Sequence, residues 1–191
     1  MQQEQSPAQT KSAILTIPNL LSCFRLLLIP AIIHTFLRRQ DPLLTSGLVV
    51  LSGLTDLADG FIARRFHRIS DLGKILDPIA DKLTQVAVLA CLTARYPLML
   101  LPLLLLVAKE IAAGIMGLMV IKRTGEVHGA DWHGKVSTAL LYATMTLHLL
   151  WAQIPGNLSH DLILLCTAMI LYSCVCYTVR NIRLMKKPSD G

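Results

Sequence analysis

The run from Asp56 to Asp81, DLADGFIARRFHRISDLGKILDPIAD, sets Asp56, Asp59, Asp77 and Asp81, a basic cluster and two glycines between and inside segments apolar enough to be membrane spans. Hydrocarbon offers no partner to an unpaired backbone N–H or C=O, so such segments must be helices. The acids narrow the choice further. Ionisable side chains at membrane depth are costly, so they face a polar interior with a partner and mark a functional site.

Composition agrees with that reading. The 191 residues are 53% hydrophobic with a mean hydropathy of +0.56, too apolar for an ordinary soluble fold. The expected fold class is all-α, a polytopic integral membrane protein with six transmembrane helices and a short N-terminal juxtamembrane segment. A net charge of +6 invites nucleic acid, but the basic residues fall mainly at the ends of apolar segments, where they orient spans and meet anionic headgroups. No nucleic-acid partner is expected. Cys23, Cys91, Cys166, Cys174 and Cys176 all lie in apolar runs without metal-ligand spacing and read as small packing residues. The polar start, MQQEQSPAQTK, precedes no cleavage-site pattern, so the first span is expected to do the targeting.

Three regions follow: a polar tail and juxtamembrane segment over 1–17, a transmembrane catalytic domain over 18–180 and a basic tail over 181–191. A span needs ~20 apolar residues. The expected spans are 18–37, 42–63, 72–94, 97–121, 135–154 and 161–179. Arg64, Arg65 and Arg68, then Lys122 and Arg123, then Arg180, Arg183, Lys186 and Lys187 would lie on the cytoplasmic side, with both termini and the acidic stretch. Arg38 and Arg39 run against this pattern.

On a helix, Asp56 and Asp59 are three apart and Asp77 and Asp81 four apart, so each pair shares a face. Asp81 would sit on the order of 13 Å along its helix from the cytoplasmic end. Four carboxylates crowded in a low-dielectric cavity need counter-charge. An oxygen-only donor set points to a hard divalent cation, Mg²⁺ first and Mn²⁺ or Ca²⁺ next, as one or two ions. Gly60 and Gly73 let backbone approach a ligand closely, and Arg64 can hold a phosphate through two bonds. Together these features describe a site for a metal-bound phosphate diester or pyrophosphate. A solvated salt-bridge network accounts well for Asp71 but poorly for regularly placed aspartates inside apolar runs. A carboxylate-lined cation transporter gains nothing from Gly60, Arg64 and Gly73 beside its acids, and a non-catalytic scaffold needs no such set.

The pattern Asp56-x-x-Asp59-Gly60-x-x-Ala63-Arg64, eight residues, Gly73-x-x-x-Asp77-x-x-x-Asp81 resembles the signature of the CDP-alcohol phosphotransferases, with every signature position filled. The likeness extends to the opening IPNLLSCFRLLLIP and the six-span layout. It implies transfer of a substituted phosphate from a CDP-linked donor to a hydroxyl acceptor with release of CMP. It implies that Asp56, Asp59 and Asp77 bind metal, that Asp81 is the general base and also touches a metal, and that two Mg²⁺ or Mn²⁺ ions take part. By the same likeness Gly60, Ala63, Arg64 and Gly73 shape the nucleotide and pyrophosphate pocket, and the protein is a homodimer in the bacterial cell membrane. CDP-diacylglycerol suits this setting, because its acyl chains stay in the bilayer.

Within that family the opening and the run LTDLADGFIARRF look most like enzymes making phosphatidylglycerol phosphate from glycerol 3-phosphate, or cardiolipin from phosphatidylglycerol. A phosphorylated acceptor calls for further cations, and Lys109 and Lys135 are the candidates, with Lys122 and Arg123 behind them. Glu110 lies about 100° round the helix from Lys109 and need not be its partner. The glycerol 3-phosphate enzymes resemble GKxKT and carry an arginine after the AKE-like triplet, where this chain has Ser137 and Gly117. Glycerol 3-phosphate stands first and phosphatidylglycerol second. Trp132, Trp151 and Tyr96 read as interfacial anchors, and His128 and His133 as solvated loop residues. Arg25, inside the first span, needs a polar partner, with the nucleotide site the expected one.

Overall fold

The computed structural model describes residues 17–66, 71–124, 132–151 and 153–186. Among these there is no strand. The elements are α1 (Ile17–His34), continued by a π-helical turn (Thr35–Arg39), then α2 (Pro42–Phe66), α3 (Asp71–Thr93), a 3₁₀ turn (Pro97–Met99), α4 (Leu100–Thr124), α5 (Trp132–Leu150) and α6 (Gly156–Lys186). The chain divides into two compact units, Met1–Ala87 and Val88–Gly191, with α3 running through the division.

In the first unit α1 packs along α2. Each helix buries one stripe. On α1 it is Asn19, Ser22, Arg25, Leu28, Ile32 and Thr35, spaced by three and four, polar at the start and apolar later. On α2 it is Thr45, Val49 and Ser52, one turn short of Asp56. Thr35 donates to the carbonyls of Ala31 and Ile32 and accepts a 3.1 Å bond from Thr45. These bonds tie the end of α1 to the start of α2. Gln40, with φ of 51°, turns the chain in the left-handed region between the two helices. Asp41 then caps α2 by accepting from the Leu44 N–H at 3.0 Å.

In the second unit α6 is the common partner of α4 and α5. Met99, Leu106, Leu141, Met145, Ile163, Cys166 and Ile170 form its buried apolar core. Two polar contacts lie within it. His148 holds the Thr144 carbonyl through Nδ1 at 2.7 Å and meets the Ser159 hydroxyl through Nε2 at 2.9 Å, joining α5 to α6. A carbonyl can only accept, so Nδ1 carries a proton in the first bond. His133 Nδ1 meets Ser173 Oγ at 3.3 Å one helix length away.

Several boundaries differ from expectation. The last helix starts at Gly156 rather than 161 and continues to Lys186, absorbing most of the basic tail. Its 31 residues reach ~46 Å, well beyond a ~30 Å hydrocarbon layer. Residues 180–186, RNIRLMK, contain good helix formers and neither proline nor glycine, so nothing stops the helix there. His133 is buried on the first turn of α5 rather than solvated in a loop, because Ser173 supplies its partner. His128 lies outside the described residues. The Tyr96 ring stands edge-on to His148 at 4.8 Å. Trp132 and Trp151 are 65% and 44% exposed.

Among the described residues three stretches, not six, are long and apolar enough to cross a membrane on their own: Asn19–Arg39, Pro97–Arg123 and Gly156–Met185. Pro42–Asp56 is a shorter apolar helix. The cause is in the sequence. α2 carries Asp56, Asp59, Arg64 and Arg65, α3 carries five charged residues by Lys82, and α5 mixes hydroxyls and histidines into its length. The outward side chains are apolar nonetheless, with Leu27, Leu43, Leu104, Leu118 and Leu165 all more than half exposed.

Candidate functional site

Within the first unit the polar start of the α1 stripe meets the acids of α2 and α3. The Arg25 guanidinium is fully buried and forks between them, donating from one nitrogen to Asp56 Oδ1 at 2.7 Å and from the other to Asp77 Oδ1 at 2.8 Å. Ser22, one turn earlier, donates to the same Asp77 oxygen at 3.5 Å. The two acidic helices thus meet at a cation from α1, and the polar partners that Arg25 needs include Asp56 and Asp77. The planar fork of arginine suits two carboxylates as no lysine would.

The acids are open on their other side. Arg25 has no exposed side-chain surface, whereas Asp56 and Asp77 keep 36% and 41% of theirs. Both ion pairs use Oδ1, which leaves the Oδ2 atoms outside the pairing.

One turn beyond Asp77, Asp81 is held through its Oδ2 by the Gln85 amide at 2.9 Å, with Lys82 Nζ at 3.8 Å. Gln85 is wholly buried and was not singled out from the sequence. The signal was available, since residues 77, 81 and 85 form an unbroken i, i+4 ladder on one face of α3. Ser22 was likewise readable from the spacing of 19, 22 and 25. Pro78 stands between the two aspartates and contributes no N–H to the helix.

Asp59, Gly60, Ala63 and Arg64 fall on α2 and Gly73 on α3, but their side chains and close surroundings lie outside what the structure describes. Among the described residues no group of three or more acid, histidine or cysteine side chains is gathered as a metal cage. The fit of a divalent cation can still be judged from the donors. Asp56, Asp77 and Asp81 offer oxygen only, which suits Mg²⁺ or Mn²⁺. A positive group, the Arg25 guanidinium, already rests against two of them. A site that draws and holds cationic charge in this way fits the ion.

The family described as CDP-alcohol phosphatidyltransferase matches residues 15–179, spanning α2, α3 and their aspartates. The chain belongs to this family. A relative from Aquifex aeolicus, named CDP-diacylglycerol--glycerol-3-phosphate 3-phosphatidyltransferase, is 34% identical over 91% of this chain and 99% of that protein. A CMP-forming cardiolipin synthase from Streptomyces coelicolor is 37% identical over 68% of this chain and 63% of that one. A relative from Mycobacterium tuberculosis (strain ATCC 25618 / H37Rv) is 43% identical over 82 residues, and the chain spans only 39% of its length.

The two expected acceptor lysines belong to the second unit. Lys109 lies on α4 and makes a 3.1 Å ion pair with Glu110. That corrects the expectation from helical geometry, because two long side chains bend toward each other despite the 100° between their roots. Lys135 is exposed on the first turns of α5. The positions lacking cations are sterically ordinary: a side chain at Gly117 would meet the Tyr177 hydroxyl at 3.7 Å, and Ser137 is buried. Sequence reading had left Arg180 and Arg183 in a tail. They line an open groove of about 450 Å³ on α6 with Val175, Cys176, Val179 and Leu184. Arg180 also lies over the Tyr177 ring at 4.8 Å.

Proposed function

We propose that this chain transfers a phosphatidyl group from CDP-diacylglycerol to glycerol 3-phosphate, releasing CMP and forming phosphatidylglycerol phosphate. The observation that carries this reading is the convergence of Asp56 and Asp77, from two separate helices, on one buried cation. The name of the Aquifex relative, matched over almost its full length, supports the donor and the acceptor.

In this reading Asp56, Asp59 and Asp77 hold Mg²⁺ or Mn²⁺, with Asp81 contributing as well. A bound divalent ion would neutralise the pyrophosphate and the charge that collects on the departing CMP. Gly60 and Gly73 give the nucleotide close access to backbone, Ala63 keeps the pocket open, and Arg64 holds a phosphate. Asp81, its Oδ2 engaged by Gln85, takes the proton of the acceptor hydroxyl through Oδ1. The hydroxyl oxygen then bonds to the phosphorus distal to cytidine. The bond from that phosphorus to the CMP oxygen breaks, and CMP leaves with the electron pair.

Six spans remain our reading of the topology, with α2, α3 and α5 crossing as the more polar members. Buried Thr45, Ser52, Gln85 and Ser137 on these helices support it, as do exposed Leu43, Leu54, Leu83 and Val136. The excess of Lys and Arg at the ends of α4 and α6, and of Arg64 and Arg65 beside the acidic stretch, supports reading these ends as cytoplasmic. Lys109 and Lys135 are the cations this reading assigns to a phosphorylated acceptor.

A second reading, cardiolipin formation on phosphatidylglycerol, draws on Gly117 and Ser137, where cations are missing, and on the name of the Streptomyces relative. Purified protein with Mg²⁺ or Mn²⁺ and CDP-diacylglycerol, offered the two acceptors separately, decides between them. Phosphatidylglycerol phosphate is expected. Cardiolipin alone would favour the second reading, and no CMP release with either would end both.

A further inference from the structure

We infer that Arg25 is a resident counter-cation of the acidic site, keeping it assembled when empty and restraining how tightly it takes a divalent metal. This rests on the reading of Asp56 and Asp77 as metal ligands. The geometry carries it in three steps.

First, Arg25 is wholly buried while its two partners are open on the opposite side. A guanidinium keeps its charge at every relevant pH, and burying it without partners would be prohibitive, so the ion pairs are permanent features of the folded unit. Second, the two acids come from different helices, and an empty site without Arg25 would set them against each other with no cation from α1 to join them. Ser22 donates to Asp77 at 3.5 Å. Third, Arg25 takes one oxygen of each carboxylate and leaves the other. A metal and the guanidinium can therefore share the same two acids, and their like charges then oppose one another. The arrangement orients the ligands and weakens the ion's hold on them. Arg25 is thus a positioning residue whose removal should strengthen metal binding while harming turnover.

The test uses the full chain purified in lipid nanodiscs, comparing wild type, Arg25→Gln and Arg25→Lys by Mn²⁺ titration with electron paramagnetic resonance and by melting in EDTA or in Mn²⁺. Arg25→Gln should melt several degrees lower in EDTA, recover in Mn²⁺, and bind Mn²⁺ about tenfold more tightly than wild type, a change of ~1.4 kcal/mol. Arg25→Lys keeps the charge but not the fork. It should bind Mn²⁺ as wild type does and still melt lower in EDTA. Adding Asp56→Asn to Arg25→Gln should remove most of the EDTA deficit by removing one of the opposed charges. A purely structural Arg25 would lower melting equally with and without Mn²⁺.

If wild type binds Mn²⁺ and Arg25→Gln matches it in affinity and in metal-dependent melting, the inference fails and the metal reading stands. If wild type binds no Mn²⁺, the metal reading fails and takes the inference with it. An Arg25→Gln protein that folds only in Mn²⁺ is the strongest form of the expected result. One that folds in neither condition, while Arg25→Lys melts as wild type in EDTA, overturns it.

Discussion

The two units hold their polar groups in opposite ways. The first buries a full charge, Arg25, against carboxylates that stay more than a third exposed. The second buries histidine–serine hydrogen bonds, His148 with Ser159 and His133 with Ser173, inside an apolar core. A neutral interhelical hydrogen bond in a membrane protein adds modestly to stability, on the order of 0.6 kcal/mol and up to about 2. A buried charge with open partners adds little net stability, and often less than an apolar packing of the same volume. The contrast separates a region arranged for chemistry from one arranged for cohesion, and substitutions should separate them the same way.

The largest expected effect is at Asp81. Asp81→Asn keeps the shape but removes the base, and CMP release from CDP-diacylglycerol should fall by about 10²- to 10⁴-fold with little change in melting. Next, Gln85→Leu frees Asp81 Oδ2 from its 2.9 Å donor without touching substrate, and should lower kcat roughly tenfold while KM for CDP-diacylglycerol holds. His148→Ala in the second unit should do the reverse. It removes bonds to Thr144 and Ser159 and opens a cavity beside Tyr96, so melting should drop by an amount worth about 1–3 kcal/mol while kcat stays within about twofold. The smallest effect falls on acceptor use. Lys135→Ala on the exposed first turns of α5 should raise KM for glycerol 3-phosphate severalfold and leave the donor's KM alone, measured by initial rates with each substrate varied.

Much of the first unit was readable as sequence because its information is periodic. Asp56, Asp77 and Asp81 sit at helical spacing inside apolar runs, and misplaced charge is conspicuous there. What the residues did not show is which helix answers those acids. Arg25 was visible as a buried cation, yet nothing in its own surroundings names a partner 31 and 52 positions away. The second unit was harder for the complementary reason. Histidine, serine and tyrosine are common at span ends and in loops, so His133 and Tyr96 looked peripheral until α6 and α5 supplied partners for them. The extent of α6 was misjudged because the charges of residues 180–186 resemble a tail, although their helix propensity carries the helix on. Apolar length alone picks out three spans among the described residues, because polar stripes dilute α2, α3 and α5.

One measurement bears most directly on the claim that the acids of the first unit perform the chemistry. CMP release from CDP-diacylglycerol, with Mn²⁺ and glycerol 3-phosphate, is followed in wild type, Asp81→Asn and His148→Ala proteins that are each confirmed folded. The account predicts full activity in wild type, near-complete loss in Asp81→Asn and near-wild-type turnover in His148→Ala. Undiminished release by Asp81→Asn would contradict it.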